Sequence, residues 1–298
     1  MALLLGPAAL AAPVVLAPQF AGSFATGTGS DAHFVRVDSR WHGSQVLWDE
    51  ANRQFGHGDP IGSFSWGTGL WGRSDWQLAQ AAADGQGGPL APPVVDQRHG
   101  LADRINFGNS RYNECYSSTW GPAPLLPFFS AAPNLGRCGD AEAGDAAQQN
   151  WTAHFEGFIR IVDPGTYNFS VLYDDGFFLR LIGEGGQALE IEQDYLNSRD
   201  REGFGNDLQL SPGLYGFELG AWNRLGAGVV DLRWSRGDTN WTLVPTANLL
   251  PTTAVPEPSA FGLVVVALLA LLSLPRALFL RSGGHLPHLL LARGARRP

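Results

Sequence analysis

The residues in this chain best suited to chemistry are two adjacent carboxylates, Asp174 and Asp175, followed by Gly176. Paired carboxylates, joined by amide and carbonyl oxygens, are the hard donors that calcium takes in its large coordination shell. Asp-Asp-Gly is also a good tight-turn sequence, so a purely structural reading stands beside the chemical one. The acids Glu190, Glu192, Asp194 and Asp200 read as a solvated loop. His42 and His57-Gly58-Asp59 place loop histidines near an acid, which is common without catalysis. The sequence has no G-x-S-x-G elbow, H-E-x-x-H helix or P-loop. Gly67-x-Gly69-x-x-Gly72 matches the dinucleotide fingerprint in form only, because no βαβ pattern follows it. A carboxylate pair for glycoside hydrolysis is defined by separation in space, which the sequence does not show.

The elements that must position Asp174 and Asp175 read as short strands. Phe155, Gly157, Ile159 and Ile161 alternate with polar residues, and Asp163-Pro164-Gly165 makes a turn. Tyr167, Phe169, Val171 and Tyr173 alternate again up to the Asp-Asp-Gly turn. Phe178–Ile182 then reads as a hairpin partner, stopped by Gly183–Gly186. A long polar excursion runs from Glu190 to Asp207. Tyr215, Phe217, Leu219 and Ala221 follow Ser211-Pro212-Gly213, and Val230, Leu232 and Trp234 close the series. Turn signals every eight to twelve residues or so predict an all-β antiparallel sandwich or barrel, with no amphipathic helix in this run.

Composition agrees with a loop-rich β protein: 38 Gly and 20 Pro in 298 residues. The chain has no lysine. Five of its arginines and none of its acids lie beyond Pro258, so the part before carries 15 Arg against 28 acids. That acidic balance argues against nucleic acid as a partner and leaves neutral sugars and divalent cations. Cys115 and Cys138 lie in a Pro-rich region with no His or further Cys between them. In an oxidising compartment they predict a disulfide, worth about 3 kcal/mol by chain entropy. Five tryptophans crowd 33–81 (Trp41, Trp48, Trp66, Trp71, Trp76) in what reads as one or two Gly-broken strands. Core packing is favoured for them over a sugar-stacking platform.

Phe155-x-Gly157-x-Ile159-x-Ile161, Pro164-Gly165-x-Tyr167-x-Phe169, Asp174-Asp175-Gly176, Leu179-x-Leu181, Pro212-Gly213-Leu214-Tyr215, Gly226-Ala227-Gly228 and Leu232-x-Trp234 occur in that order. This succession resembles the protective-antigen-type (PA fourteen) β-barrel domain of bacterial toxins, glycosidases and yeast adhesins. The resemblance is good over Trp151–Pro245, weaker over Leu101–Asn150, and not readable earlier. It implies a rim site in which Asp174, Asp175 and the Asn223 side chain, with the Leu225 and Ala227 carbonyls, hold calcium. Sugar hydroxyls would complete the shell. Trp222 or Tyr173 would stack on a sugar face.

The C-terminus carries a second resemblance. Pro256-Glu257-Pro258 precedes an uncharged run, Ala260–Leu274, which Ala277–Leu280 extend towards the roughly 17 to 25 residues of a membrane span. Arg281, Arg293, Arg296 and Arg297 follow, placing this end in the cytoplasm by the positive-inside rule. Tripeptide, span and basic tail in this order resemble the PEP-CTERM sorting signal, which implies an exosortase-type processing enzyme as a partner. At the other end, Leu3–Ala17 resembles the apolar and cleavage regions of a signal peptide, without a basic start, with cleavage after Ala11 or Ala17.

The organisation expected is therefore a signal peptide (1–17), a Trp/Gly-rich β segment (31–81) and a linker (82–100). The barrel domain (101–250), a Pro-rich linker with the sorting motif (251–259), a transmembrane helix (260–280) and a basic cytoplasmic tail (281–298) follow. The expected function is an exported, membrane- or matrix-associated, non-catalytic binder of glycans or extracellular polysaccharide, using calcium. The alternatives are a structural matrix component without a discrete ligand, and a glycosidase or peptidase carrying this domain as an accessory.

Overall fold

The computed structural model describes residues 13–41, 47–49, 54–56, 68–129, 138, 148–237 and 240–254. Its elements in chain order are β1 (Val14–Leu16), β2 (Phe20–Ala21), β3 (Ser30–Val37), β4 (Leu47–Asp49), β5 (Gln54–Gly56), α1 (Arg73–Ala83), β6 (Val94–Ala102), β7 (Asn106–Gly108) and α2 (Ser110–Trp120). Then come β8 (Trp151–Ile161), β9 (Gly165–Asp174), β10 (Gly176–Ile182), β11 (Ala188–Gln193), β12 (Asp200–Gly203), β13 (Leu208–Leu210), β14 (Gly213–Asn223), β15 (Val229–Arg236), β16 (Thr242–Leu243) and β17 (Leu249–Leu250).

Apart from the antiparallel pair β4-β5, the described strands form two mostly antiparallel sheets. One runs β1-β13-β9-β15-β16, with β12 on β9 and β7 on β15. The other runs β11-β10-β14-β8-β3-β6, with β17 on β8 and β2 on β14. Between them lies the main core, including Phe155, Ile159, Phe169, Val171, Tyr215, Phe217, Leu219 and Leu232. The alternation of these residues is the cause of the arrangement, since only one face of each strand can be buried this way.

Both helices cover outer sheet faces. Trp76 and Ala79 of α1 pack with Val35, Val37, Trp41, Phe178 and Trp222 on the eight-stranded sheet. Tyr112 of α2 packs with Leu172, Ala227 and Val229 on the other. Trp41 and Trp76 are therefore core residues, as expected. Trp76 also donates from Nε1 to the Ala153 carbonyl at 3.0 Å.

Several boundaries differ from the expectation. The segment 31–81 is not separate from the 101–250 domain: β3 lies between β8 and β6. β3 buries Ala32 and Phe34 in the main core and Val35 and Val37 under α1, so its two-sided burial hides the period-two signal. The region 82–100 holds the end of α1 and most of β6 rather than a linker. Residues 14–16, inside the expected signal peptide, form β1 and pair parallel with β13.

The expected hairpin across Asp174-Asp175-Gly176 is absent. β9 and β10 belong to different sheets, so this turn carries the chain from one sheet to the other. The polar excursion after Glu190 contains β11 and β12. Among the described residues, no helix is long and apolar enough to cross a membrane. Pro256-Glu257-Pro258, the 260–280 span and the 281–298 tail lie outside the described residues.

The Cys115–Cys138 disulfide is formed, with Cα atoms 5.5 Å apart. Cys115 sits on α2 rather than in a loop.

Candidate functional site

Two crossovers between the sheets run side by side at one end of the sandwich. The first is Asp174-Asp175-Gly176, from β9 to β10. The second is loop 224–228, from β14 to β15. They are stitched together: Asp175 N donates to the Trp222 carbonyl at 2.8 Å, and Arg224 N donates to Asp175 Oδ2 at 2.7 Å. The Asp174–Asp175 peptide is cis. Two glycines permit the close approach. A Cβ on Gly176 would stand 2.3 Å from the Trp222 ring, and one on Gly228 would stand 2.6 Å from Asn223 Cγ.

The structure thus brings Asp174, Asp175, Asn223, Leu225 and Ala227 to one rim. Asn223 is fully buried, and its Nδ2 donates to the Leu225 carbonyl at 3.1 Å and the Ala227 carbonyl at 3.2 Å. Its Oδ1 is buried with no hydrogen-bond partner. A buried acceptor without a partner is costly, so this oxygen marks a place where a donor or cation belongs. Turning the amide over exchanges Nδ2 for Oδ1 and gathers three oxygens at one point.

The carboxylates are electrostatically loaded. Burial, then the adjacent Asp175 charge, pushes the Asp174 carboxyl well above the ordinary range, and Arg199 offsets part of that rise. Burial pushes Asp175 up as well, opposed by the Arg224 N–H and the charges of Arg224 and Arg199. Arg199 Nη2 is paired with Asp174 Oδ2, and its guanidinium lies 3.4 Å from the centre of the Tyr116 ring on α2. Two like charges held together at low exposure are stabilised by a positive partner. Calcium fits the donor set: two carboxylates, an orphaned amide oxygen and two carbonyls.

Sequence reasoning placed the oxygens but not the surrounding side chains. Trp222 and Tyr173 are fully or nearly fully buried, so neither offers an open face to a sugar. Trp222 packs under α1 and donates from Nε1 to the Tyr195 carbonyl at 3.0 Å, while Tyr173 lies against Phe177 in the core. The exposed ring beside the rim is Tyr195, 63% accessible. Its loop touches the site through Asn197 N, which donates to the Asp175 carbonyl at 3.0 Å.

Asn109 was also missed. It caps α2 by accepting from Tyr112 N at 2.9 Å, and its Nδ2 donates to the Gly226 carbonyl at 2.7 Å. Its own N donates to the Gly228 carbonyl at 3.0 Å, so the helix cap braces the 224–228 loop. An Asn one residue ahead of a helix was the available signal.

The acids 190–200 are not simply solvated. Arg73 Nη1 bridges Glu190 at 2.6 Å and Glu192 at 2.5 Å, and Asp194 Oδ1 accepts from Arg73 N at 2.8 Å. They fasten the N-terminus of α1, where a negative charge is favoured. Asp200, by contrast, is an exposed residue at the start of β12.

No protein-family model and no curated protein matches the sequence. Solved structures similar to this chain include PA14 domains. One is a PA14 sugar-binding domain from an RTX adhesin, at 14% identity and TM-score 0.39, covering 76% of this chain and 99% of that one. Another similar structure is the Epithelial Adhesin 6 A domain from Candida glabrata in complex with Galb1-3GlcNAc. It has 14% identity and TM-score 0.42, covering 80% and 92%. An anti-sigma factor domain-containing protein from Clostridium clariflavum is similar at 16% identity and TM-score 0.39, covering 78% of this chain. The chain spans about half the length of that protein. At these TM-scores the likenesses carry no argument about this chain.

Proposed function

We propose that the chain is an exported, non-catalytic, calcium-dependent carbohydrate-binding protein, with the rim at Asp174 and Asp175 as its ligand site. The observation that carries this reading is the gathering of the buried Asp174 and half-buried Asp175 carboxylates with the partnerless Asn223 Oδ1 and the Leu225 and Ala227 carbonyls. Bound calcium would supply open coordination positions at which two sugar hydroxyls replace water, which selects for hydroxyl geometry. The chain's own part is to hold the oxygens rigidly, through the two glycines, Asn109 and the Arg224 N–H. Tyr195 takes the stacking role that the buried Trp222 and Tyr173 cannot fill.

Calorimetric titration of calcium into the full chain tests the metal half of this reading. One equivalent is expected, lost in Asp174→Asn and Asp175→Asn. No binding to a folded wild-type chain rejects it.

One observation favours the second reading, a structural matrix component. Arg199 and the Arg224 N–H engage the two carboxylates, as partners of a purely structural turn would.

The C-terminal sequence supports the remaining proposals: export, retention through the 260–280 span, and processing near Pro256-Glu257-Pro258 by an exosortase-type enzyme that releases the chain to the surface or matrix. Mass determination of the mature protein tests them, with an end near Pro258 expected and an intact Pro298 end contradicting processing.

A further inference from the structure

We propose that His33, Asp84 and His99 form a second cation site, for a divalent transition metal such as zinc, on the outer face of the eight-stranded sheet. His33 of β3 stands directly opposite His99 of β6 and His154 of β8, so three histidines form a row across three strands. The His33 and His99 rings stack with centroids 3.5 Å apart. Asp84, which caps the end of α1, reaches the same place, and one ligand atom from each of the three residues lies within 4.8 Å of the others.

The hydrogen bonding of His33 gives this cluster its direction. Its Nε2 lies 3.2 Å from Gln97 Oε1, and the tautomer with its proton on Nε2 satisfies that acceptor. Nδ1 is then left with a lone pair, and it faces Asp84 Oδ1 at 3.9 Å. Two acceptors facing each other across a gap too long for a hydrogen bond are held best by a cation between them. An imidazole nitrogen and a carboxylate oxygen on one tetrahedral zinc stand roughly 3.4 Å apart, so closure by about 0.5 Å completes the pair. Asp84 is half exposed at a helix end, and the exposed His99 can turn its ring to add a second nitrogen. A histidine ligand that gives its other N–H to an oxygen, as His33 does to Gln97, has the usual outer-shell support of a metal ligand.

Burial, and then the nearby His99, hold the His33 imidazole below its ordinary range; Gln97 and Asp84 oppose that shift and His154 adds to it. Two imidazoles and a carboxylate select zinc, copper or nickel over calcium, and leave a fourth position for water or an external ligand. His33 and His99 line an open trough with Asp31, His154, Glu156 and Thr252, which gives such a ligand access.

The test is titration of zinc into the full chain with calcium in excess, so that the rim site is not the one read. One equivalent is expected. His99→Ala and Asp84→Ala, both at exposed positions, should each weaken it at least tenfold. Gln97→Leu, which keeps every ligand, should weaken it about 10- to 100-fold. Zinc should also raise the melting temperature of the wild type and not of Asp84→Ala. Absence of saturable zinc binding, or wild-type affinity in both His99→Ala and Asp84→Ala, would overturn the site and place any bound zinc on other histidines.

Discussion

Arg199 pairs with Asp174 while its guanidinium sits over the Tyr116 ring, 3.4 Å from its centre. Tyr116 is on α2, one residue beyond Cys115, so the disulfide-held helix supplies the ring against which this cation rests. Both side chains of the ion pair are nearly buried, at 12% and 10% exposure.

Removing that cation should therefore expose the need for another. Arg199→Met leaves Asp174, beside Asp175, without its ion-pair partner, at a cost of about 3 kcal/mol in chelator. Calcium should raise the melting temperature of the variant more than that of the wild type, and bind it more tightly. Thermal melts with calcium and with chelator check this; equal shifts in the two proteins would count against a shared position for cation and guanidinium.

Tyr195 separates ligand contact from stability. Its ring is exposed, so Tyr195→Ala should leave the melting temperature within about 1 °C of wild type, as for ordinary surface changes. Sugar binding should drop by roughly three- to tenfold, in line with one lost stacking contact. Unchanged sugar affinity would show that the ligand lies elsewhere.

Glu218 gives a pH dependence with a definite sign. His154, whose Nε2 stands 3.5 Å from Glu218 Oε1, acts first, and it and Arg180 hold the carboxyl below the ordinary 4.5, against the effect of burial. A depressed folded value means that the contribution is present above pH 4.5 and lost as pH falls through the lowered value. The groups are partly exposed, so the contribution is at most about 1 kcal/mol. The stability difference between wild type and Glu218→Gln should shrink as pH falls below about 4.5. Urea unfolding across that range measures it, and a difference that grows on acidification would reverse the assignment.

The N-terminal end has two candidate cleavage points, and the fold distinguishes them. Leu16 is buried in the main core and Val14–Leu16 pairs with β13. Cleavage after Ala17 would remove that strand, whereas cleavage after Ala11 keeps it. Mass spectrometry of the exported protein should find Ala12 as its first residue; a start at Pro18 would show that the folded protein does without β1.

The strands of the central region were legible because their buried residues alternate. Phe169, Val171 and Tyr173 announce a half-buried strand in any sheet. Their partners were not legible. A tight Asp-Asp-Gly turn serves a hairpin and a crossover equally, and only the whole sandwich decides that β9 meets β15 while β10 meets β14. The rim oxygens were reached through motif order, since Asn223 and Asp175 are distant in the chain and neighbours only through that crossover.

The helix α1 had a readable signal in Trp76, Ala79, Gln80 and Ala83 at helical spacing. The glycines before it, 62–72, drew the reading towards broken strands. The histidine row had none. His33, His99 and His154 meet only through the register of three strands, and β3 shows no alternation because both its faces are covered.

The most direct test of the rim site as a lectin-like site is a glycan array probed with the purified full chain in calcium and in chelator. The account predicts binding to a defined sugar class in calcium only, abolished by Asp174→Ala and by Asp175→Ala in protein that remains folded. Absence of binding in both conditions, or binding indifferent to calcium and to both substitutions, would contradict it and leave Asp174-Asp175-Gly176 as a crossover turn in a structural protein.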